Sequence, residues 1–302
     1  MHDFSFQLKK QTMNKTSLSP IIAGTMNWGV WDKNLTQKEM ESMIHICLEN
    51  KITTFDHADI YGSYTTESEF GKAFAASKID REKLQLISKC GIQMLAENRN
   101  NKIKHYDYSK QHIITSVEQS LRNLHTDYLD VFLLHRPSPL MQADEIAAAV
   151  EQLKKEGKIL DFGLSNFTTS QTELIRQKTA VSYNQVQFSA TNFEPMVDGS
   201  FDYMQMNGIQ PMSWNPLGCV FREDIPQTHR LKKLLARLVS KYHLGSDTLL
   251  LSWVLKHPAK VIPIAGTVNV ARIQSLMKAV ELELEKEDWF AIWTESMGED
   301  VP

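Results

Sequence analysis

The chain has 302 residues, 42% hydrophobic and 23% charged, with 33 Lys+Arg against 36 Asp+Glu and hence a net charge of −3. This is ordinary globular composition. It lacks the basic excess that a nucleic-acid backbone or an anionic membrane demands, and no apolar run reaches the roughly 20 residues of a membrane helix.

In chain order, Met1 to Leu8 carries an acid and alternates polar with apolar residues, so it is not expected to be a signal peptide. Phe4 to Leu8 and Thr16 to Leu18 are expected to pair as an N-terminal β-hairpin. Eight short apolar runs follow: Ile21 to Thr25, Ile52 to Asp56, Leu84 to Lys89, Tyr128 to His135, Ile159 to Ser165, Tyr183 to Gln187, Ile209 to Trp214 and Val261 to Ile264. Each is followed by a helical pattern or by room for one, as in a parallel sheet covered by helices. Helix signals punctuate the intervals: Thr36 with Glu39 as a capping box, Ser109 before an amphipathic run to Leu124, and Gly157 ending the run from Met141. Lys286 to Ser296 reads as an extra C-terminal helix. Cys47, Cys90 and Cys219 are an odd count without CxxC spacing, which suits a reducing compartment and predicts a cytoplasmic protein with no metal site.

Eight strands in 302 residues give about 38 residues per βα unit, close to a (β/α)₈ TIM barrel with additions at both ends. A doubly wound sheet shows the same alternation, but the chain has neither G-x-G-x-x-G after its first strand nor G-x-x-x-x-G-K-[ST]. No linker or internal repeat divides the chain, so residues 1–302 are expected to form a single α/β barrel domain.

In such a barrel the active face lies at the C-terminal ends of the strands. The ends here are polar: Asp56 with Tyr61, Lys89, His135, Ser165-Asn166, Gln187 and Trp214-Asn215. Asp56, Tyr61, Lys89 and His135, brought together from adjacent strands, make an acid site. An ammonium beside the phenol lowers its pKa, Asp56 keeps that ammonium charged, and the histidine orients a carbonyl oxygen. Any one of these residues alone has a bland explanation as a cap, a surface aromatic or a core histidine. Opposite them, Ser165, Asn166 and Gln187 can hold a carboxamide and Trp214 can stack on an aromatic ring, while Thr267 and Arg272 flank a helix start suited to a phosphate.

Gly24-Thr25-Met26, Asp56-x-Ala58-x-x-Tyr61, Ser88-Lys89, Leu133-Leu134-His135-Arg136-Pro137, Gly163-x-Ser165-Asn166-Phe167, Asn184-Gln185-Val186-Gln187 and Pro216-Leu217-Gly218 together resemble the aldo-keto reductase superfamily. In wording and spacing, including Asp-Tyr-Leu-Asp at 127–130 and the Trp289 region, the chain is most similar to the bacterial general oxidoreductase branch. The resemblance implies an NADPH-dependent reductase of aldehydes or ketones, monomeric, with Tyr61 as general acid, Asp56 and Lys89 tuning it, and His135 placing the carbonyl. It further implies cofactor contacts from Gly24, Thr25, Met26, Asp56, Ser165, Asn166, Gln187, Trp214, Asn215, Pro216, Leu217, Gly218, Thr267 and Arg272. Arg222 is expected over the pyrophosphate or towards an acidic substrate, and Trp28, Trp31, Pro139 and Phe221 as pocket wall, with Trp28, Tyr61 and His135 contacting substrate. Two positions depart from the family pattern: Gly266 stands where a lysine is common, and Leu276 where an asparagine is common.

Other chemistries fit less well. A Schiff-base aldolase would use Lys89 uncharged, a glycosidase needs a carboxylate pair that these strand ends lack, and a metal hydrolase built on His57, Asp59 and His135 has no ligand spacing to support it. A cofactor-binding regulatory module with little turnover is the nonenzyme alternative.

Overall fold

The computed structural model describes residues 15–301. Among the described residues there are ten strands: β1 (Ile22–Gly24), β2 (Thr54–Asp56), β3 (Gln85–Cys90), β4 (Ile92–Gln93), β5 (His105–Tyr106), β6 (Leu129–Leu134), β7 (Ile159–Ser165), β8 (Tyr183–Gln187), β9 (Gln210–Trp214) and β10 (Ile262–Ala265). All except β4 and β5 close into one parallel barrel in the order β1-β10-β9-β8-β7-β6-β3-β2. This is the expected (β/α)₈ barrel, with each of the eight predicted barrel strands within two residues of its observed limits.

Strand alternation sorts the side chains into two cores. Ile22, Ile87, Val131, Leu133, Tyr183, Met212 and Ile264 fill the barrel interior. The opposite parity, including Phe55, Leu86, Phe132, Leu134, Phe162 and Leu164, packs outward in the large cluster shared with the surrounding helices. Gly163 belongs to the inner layer because no larger residue fits there: a Cβ would lie 2.7 Å from the Leu133 side chain. Inward parity then carries the polar residues at the top, since Lys89 lies two residues beyond Ile87 and His135 two beyond Leu133. Ser88, of outward parity, instead donates to the buried Glu67 at 2.5 Å.

The helix signals hold where a cap was visible. Thr36 and Glu39 make a capping box for the helix Gln37–Glu49, and Ser109 caps Lys110–Leu124. Ala143–Lys155 ends just before Gly157, which takes a φ of +69°. The C-terminal helix Lys286–Met297 is present, fixed by Trp289 stacked on Trp253 at 5.1 Å with each indole N–H donating to the other residue's carbonyl.

The N-terminal hairpin needs revision. Phe4 to Leu8 lies outside the described residues, and Thr16 to Leu18 has no strand geometry. Thr16 instead closes the bottom of the barrel: its N–H donates to Asp161 at 2.8 Å and its carbonyl accepts from the Tyr183 hydroxyl at 2.6 Å. The two-stranded antiparallel ladder of the structure joins β4 to β5 beside the barrel mouth.

Candidate active site

At the C-terminal ends of the barrel strands lies a cavity of about 1220 Å³. On its floor Lys89 is fully buried, and its ammonium donates to Asp56 Oδ2 at 2.7 Å, the His57 carbonyl at 2.8 Å and Tyr61 Oη at 3.1 Å. Gln185 Nε2 occupies the other carboxylate oxygen, Asp56 Oδ1, at 2.9 Å. Burial pulls the Lys89 pKa down, but Asp56 and Tyr61 outweigh it and hold the lysine above its ordinary value. Burial pushes the Tyr61 hydroxyl above the ordinary tyrosine value, with Lys89 pulling the other way. That reverses the expected net direction: the low dielectric around the phenol outweighs the ammonium, so Tyr61 is a protonated donor throughout the physiological range.

His135 lies against Tyr61 edge to face, with ring centres 6.0 Å apart. Its pKa is held well below the ordinary value, first by burial and then by the charges of Lys89, Arg136 and Lys104, so the ring is neutral. Its buried Nδ1 has no partner among the described residues. An unpartnered lone pair is tolerated better than an unpartnered N–H, which assigns the proton to Nε2 as a donor to a ligand.

The opposite wall is a second network. Ser165 Oγ donates to the Gln185 carbonyl at 3.0 Å, and Asn166 Nδ2 donates to Ser165 Oγ at 2.8 Å. The Trp214 indole N–H donates to Asn166 Oδ1 at 2.8 Å, fixing the ring plane at the cavity edge. Asn166 and Asn215 hold these turns at φ of +62° and +53°, a conformation asparagine tolerates better than most residues. Further along, Arg222 donates to Asn215 Oδ1 at 3.0 Å and to the Gly218 carbonyl at 2.9 Å. Beyond β10, Asn269 caps the helix Val270–Glu281, and Arg272 is exposed at the cavity edge.

A profile of the Aldo/keto reductase family matches residues 20–294. This chain belongs to the aldo/keto reductase family. It is similar to the uncharacterized oxidoreductase YcsN of Bacillus subtilis, 39% identical across 97% of this chain and 99% of the relative. It is also similar to the oxidoreductase YdhF of Escherichia coli, 38% identical across 91% and 93%. The crystal structure of an aldo-keto reductase from Klebsiella pneumoniae in complex with NADPH shares the fold, with a TM-score of 0.72 and 21% identity over 91% of this chain and 90% of that one.

Within this aldo/keto reductase barrel, Asp56, Tyr61 and His135 line the cavity with Lys89 bonded beneath them. Gly24, Met26, Trp31, Ser165, Asn166, Trp214, Asn215, Pro216, Leu217, Gly218, Phe221, Arg222, Thr267 and Arg272 also line it, as do Gly266 and Leu276. Besides Lys89, four expected residues do not line it. Thr25 is fully buried, donating to the Asp56 carbonyl and accepting from His57 Nδ1, each at 2.9 Å. Trp28 turns into the core between Phe55 and Phe70, with ring centres 6.2 and 6.0 Å away. Pro139 is exposed outside the cavity. Gln187 is replaced by Gln185: both share a parity, but the cavity floor sits at the level where Ser165 pairs with Gln185, and β8 continues past it to pair Gln187 with Trp214.

Sequence reasoning also missed Asn27, Ile60, Ile92, Met94, Lys104, Arg136, Val268 and Asn269 as wall residues. Arg136 was signalled by its place directly after His135. Met94 and Lys104 come from a loop with no periodicity to reveal it. Among the described residues no group of three or more His, Cys, Asp and Glu side chains is arranged to hold a metal ion.

Proposed function

We propose that this chain is an NADPH-dependent reductase of aldehydes or ketones, with Tyr61 delivering the proton to the substrate oxygen. One observation carries the reading: a tyrosine hydroxyl, a buried ammonium and a carboxylate form a continuous hydrogen-bond chain that opens, beside a neutral histidine, into a large cavity.

The wall opposite Tyr61 suits a nicotinamide. Gln185 Oε1 has no partner among the described residues, so it remains an acceptor for a carboxamide N–H beside Ser165 and Asn166, and Trp214 offers a flat face. Asn215 to Gly218 and Arg222 would run beside the pyrophosphate. The backbone N–H groups of Val270 and Ala271 have no partner among the described residues, and with Thr267 and Arg272 they would meet the 2′-phosphate. That the Klebsiella reductase of the same fold carries NADPH supports this reading.

A bound nicotinamide supplies the hydride. The chain's own residues do the rest. His135 Nε2–H and Tyr61 Oη–H would both donate to the carbonyl oxygen, polarising it and orienting the carbonyl carbon towards the cofactor. As negative charge develops on that oxygen, Tyr61 transfers its proton, and the Lys89 ammonium at 3.1 Å stabilises the phenolate left behind. Asp56 keeps Lys89 charged and aimed, while Gln185 keeps the carboxylate from turning away.

Cofactor fluorescence and loss of NADPH absorbance over a panel of aldehydes and ketones test the assignment. Saturable, carbonyl-dependent turnover is expected; tight binding without turnover of any carbonyl would overturn it in favour of a cofactor-holding module. Arg272→Ala is expected to raise the KM for NADPH about tenfold and that for NADH less than about twofold, the loss of one charge-assisted contact. Equal losses for both cofactors would remove Arg272 from phosphate recognition.

A further inference from the structure

The charges facing the cavity are not balanced. Its carboxylates are Asp32, Asp56 and Asp247. The first pairs with Lys33 at 3.0 Å and the second with Lys89 at 2.7 Å, while the third accepts from the Thr248 N–H in its own turn at 2.9 Å. Arg222 is committed to Asn215 and Gly218, and Arg272 lies at the start of the helix after β10. Two further cations line the cavity. They are Arg136 and Lys104, and neither side chain has a carboxylate or hydrogen-bond partner among the described residues.

Arg136 is also firmly supported. Its backbone N–H donates to the buried Tyr108 hydroxyl at 3.1 Å, and its carbonyl accepts from the same hydroxyl. Gly91, at a φ of +111°, leaves room for the Tyr108 ring, because a Cβ there would lie 2.0 Å from it. The Asn166 amide donates to the neighbouring His135 carbonyl at 3.4 Å. A buried tyrosine and a glycine thus fix the backbone of an arginine that directly follows the carbonyl-orienting histidine. Its half-buried guanidinium, 5.6 Å from the centre of the Trp214 indole, meets no carboxylate among the described residues.

We propose that Arg136, assisted by Lys104, is an anion subsite that selects carbonyl substrates bearing a carboxylate or phosphate group. The inference rests on the reductase reading above and specifies its substrate class. A guanidinium matches either group with paired N–H donors, and a shared cavity of mixed apolar and cationic lining fits a short organic body carrying one negative end. The apolar side chains of Ile92 and Met94 would cover that body.

The test compares matched pairs: para-carboxybenzaldehyde against its methyl ester, and glyceraldehyde phosphate against glyceraldehyde, each with saturating NADPH. The wild-type kcat/KM is expected to favour the anionic member of at least one pair by about tenfold or more, and the favoured pair tells carboxylate from phosphate. Arg136→Met should bring that ratio close to one and Arg136→Lys should restore part of it. Lys104→Met should lower the ratio by a smaller factor. Ratios near one for both pairs in an active wild-type enzyme would overturn the subsite and leave the reductase reading standing. So would an Arg136→Met loss that is equal for charged and neutral members and accompanied by a raised KM for NADPH, since it would place the guanidinium on the cofactor. Turnover of none of the four carbonyls despite cofactor binding would instead strike the reductase reading, and the subsite with it.

Discussion

Tyr61→Phe is expected to bind NADPH about as tightly as the wild type and to lose turnover by a factor of about 10² to 10⁴, the usual contribution of a positioned general acid. The ring packing of Tyr61 against Trp31 and His135, with centres 6.0 Å away in each case, involves no hydroxyl and survives the change. What disappears is the proton donor and its bond to Lys89. The pH profile gives the same assignment a second reading. Because burial, against the pull of Lys89, raises the Tyr61 pKa above its ordinary value of 10.0, the hydroxyl stays protonated through neutral and mildly alkaline pH. Reductive turnover should therefore show no loss from Tyr61 ionisation there, and should fall only as pH rises through that raised value. An initial-rate profile that falls with a midpoint near neutrality would contradict Tyr61 as the group whose proton is used. A variant retaining wild-type turnover would do so outright.

Lys89→Met is expected to damage both catalysis and stability. The ammonium is fully buried and bonded to Asp56, the His57 carbonyl and Tyr61, so its removal leaves a carboxylate deep in the protein with only Gln185 beside it. Breaking one side of a buried pair costs about 3–5 kcal/mol, roughly 5–10 °C in Tm for a chain of this size. Turnover should fall at least about a hundredfold because the phenolate formed at Tyr61 loses its stabilising charge. Lys89→Met combined with Asp56→Asn separates the two effects. The double variant should regain much of the Tm, since the orphan charge is gone, while remaining inactive. A single variant with an unchanged Tm would mean that Asp56 does not depend on Lys89, and recovery of activity in the double variant would show that the pair serves packing alone.

Most of the barrel was legible because its strands are short apolar runs separated by helical patterns. β7 and β8 run between the predicted residues, and once the structure places Ile87 and Leu133 in the barrel interior, Lys89 and His135 follow at the same parity. Asp56, Lys89 and His135 were legible as polar residues at or just after the ends of apolar strands, and Tyr61 as a polar residue in the segment after β2. Three kinds of information were not local. Gln185 was passed over for Gln187 because the depth of the floor depends on the register between β7 and β8, which a single strand does not reveal. Trp28 and Thr25 left the cavity because turns after β1 rotate them into the wall, where Phe55, Phe70 and His57 take their contacts. Thr16 donates its N–H to the carboxylate of Asp161, 145 residues away, a contact that no local pattern around Thr16 to Leu18 reveals.

The direction of the Tyr61 shift has the same origin. From sequence, only the nearby ammonium is visible, and it lowers the pKa. Burial enters when Ile60, Ile92 and Tyr61 pack together beside the β4–β5 ladder, a feature absent from the expected elements.

The most direct test of the whole account is isotope transfer from NADPH deuterated at the transferable nicotinamide position to an aldehyde, followed by mass analysis of the alcohol from wild type and Tyr61→Phe. Deuterium on the carbinol carbon, formed rapidly by the wild type and at least about a hundredfold more slowly by the variant, is the predicted result. Alcohol without deuterium, or deuterated alcohol formed equally fast by both proteins, would contradict it.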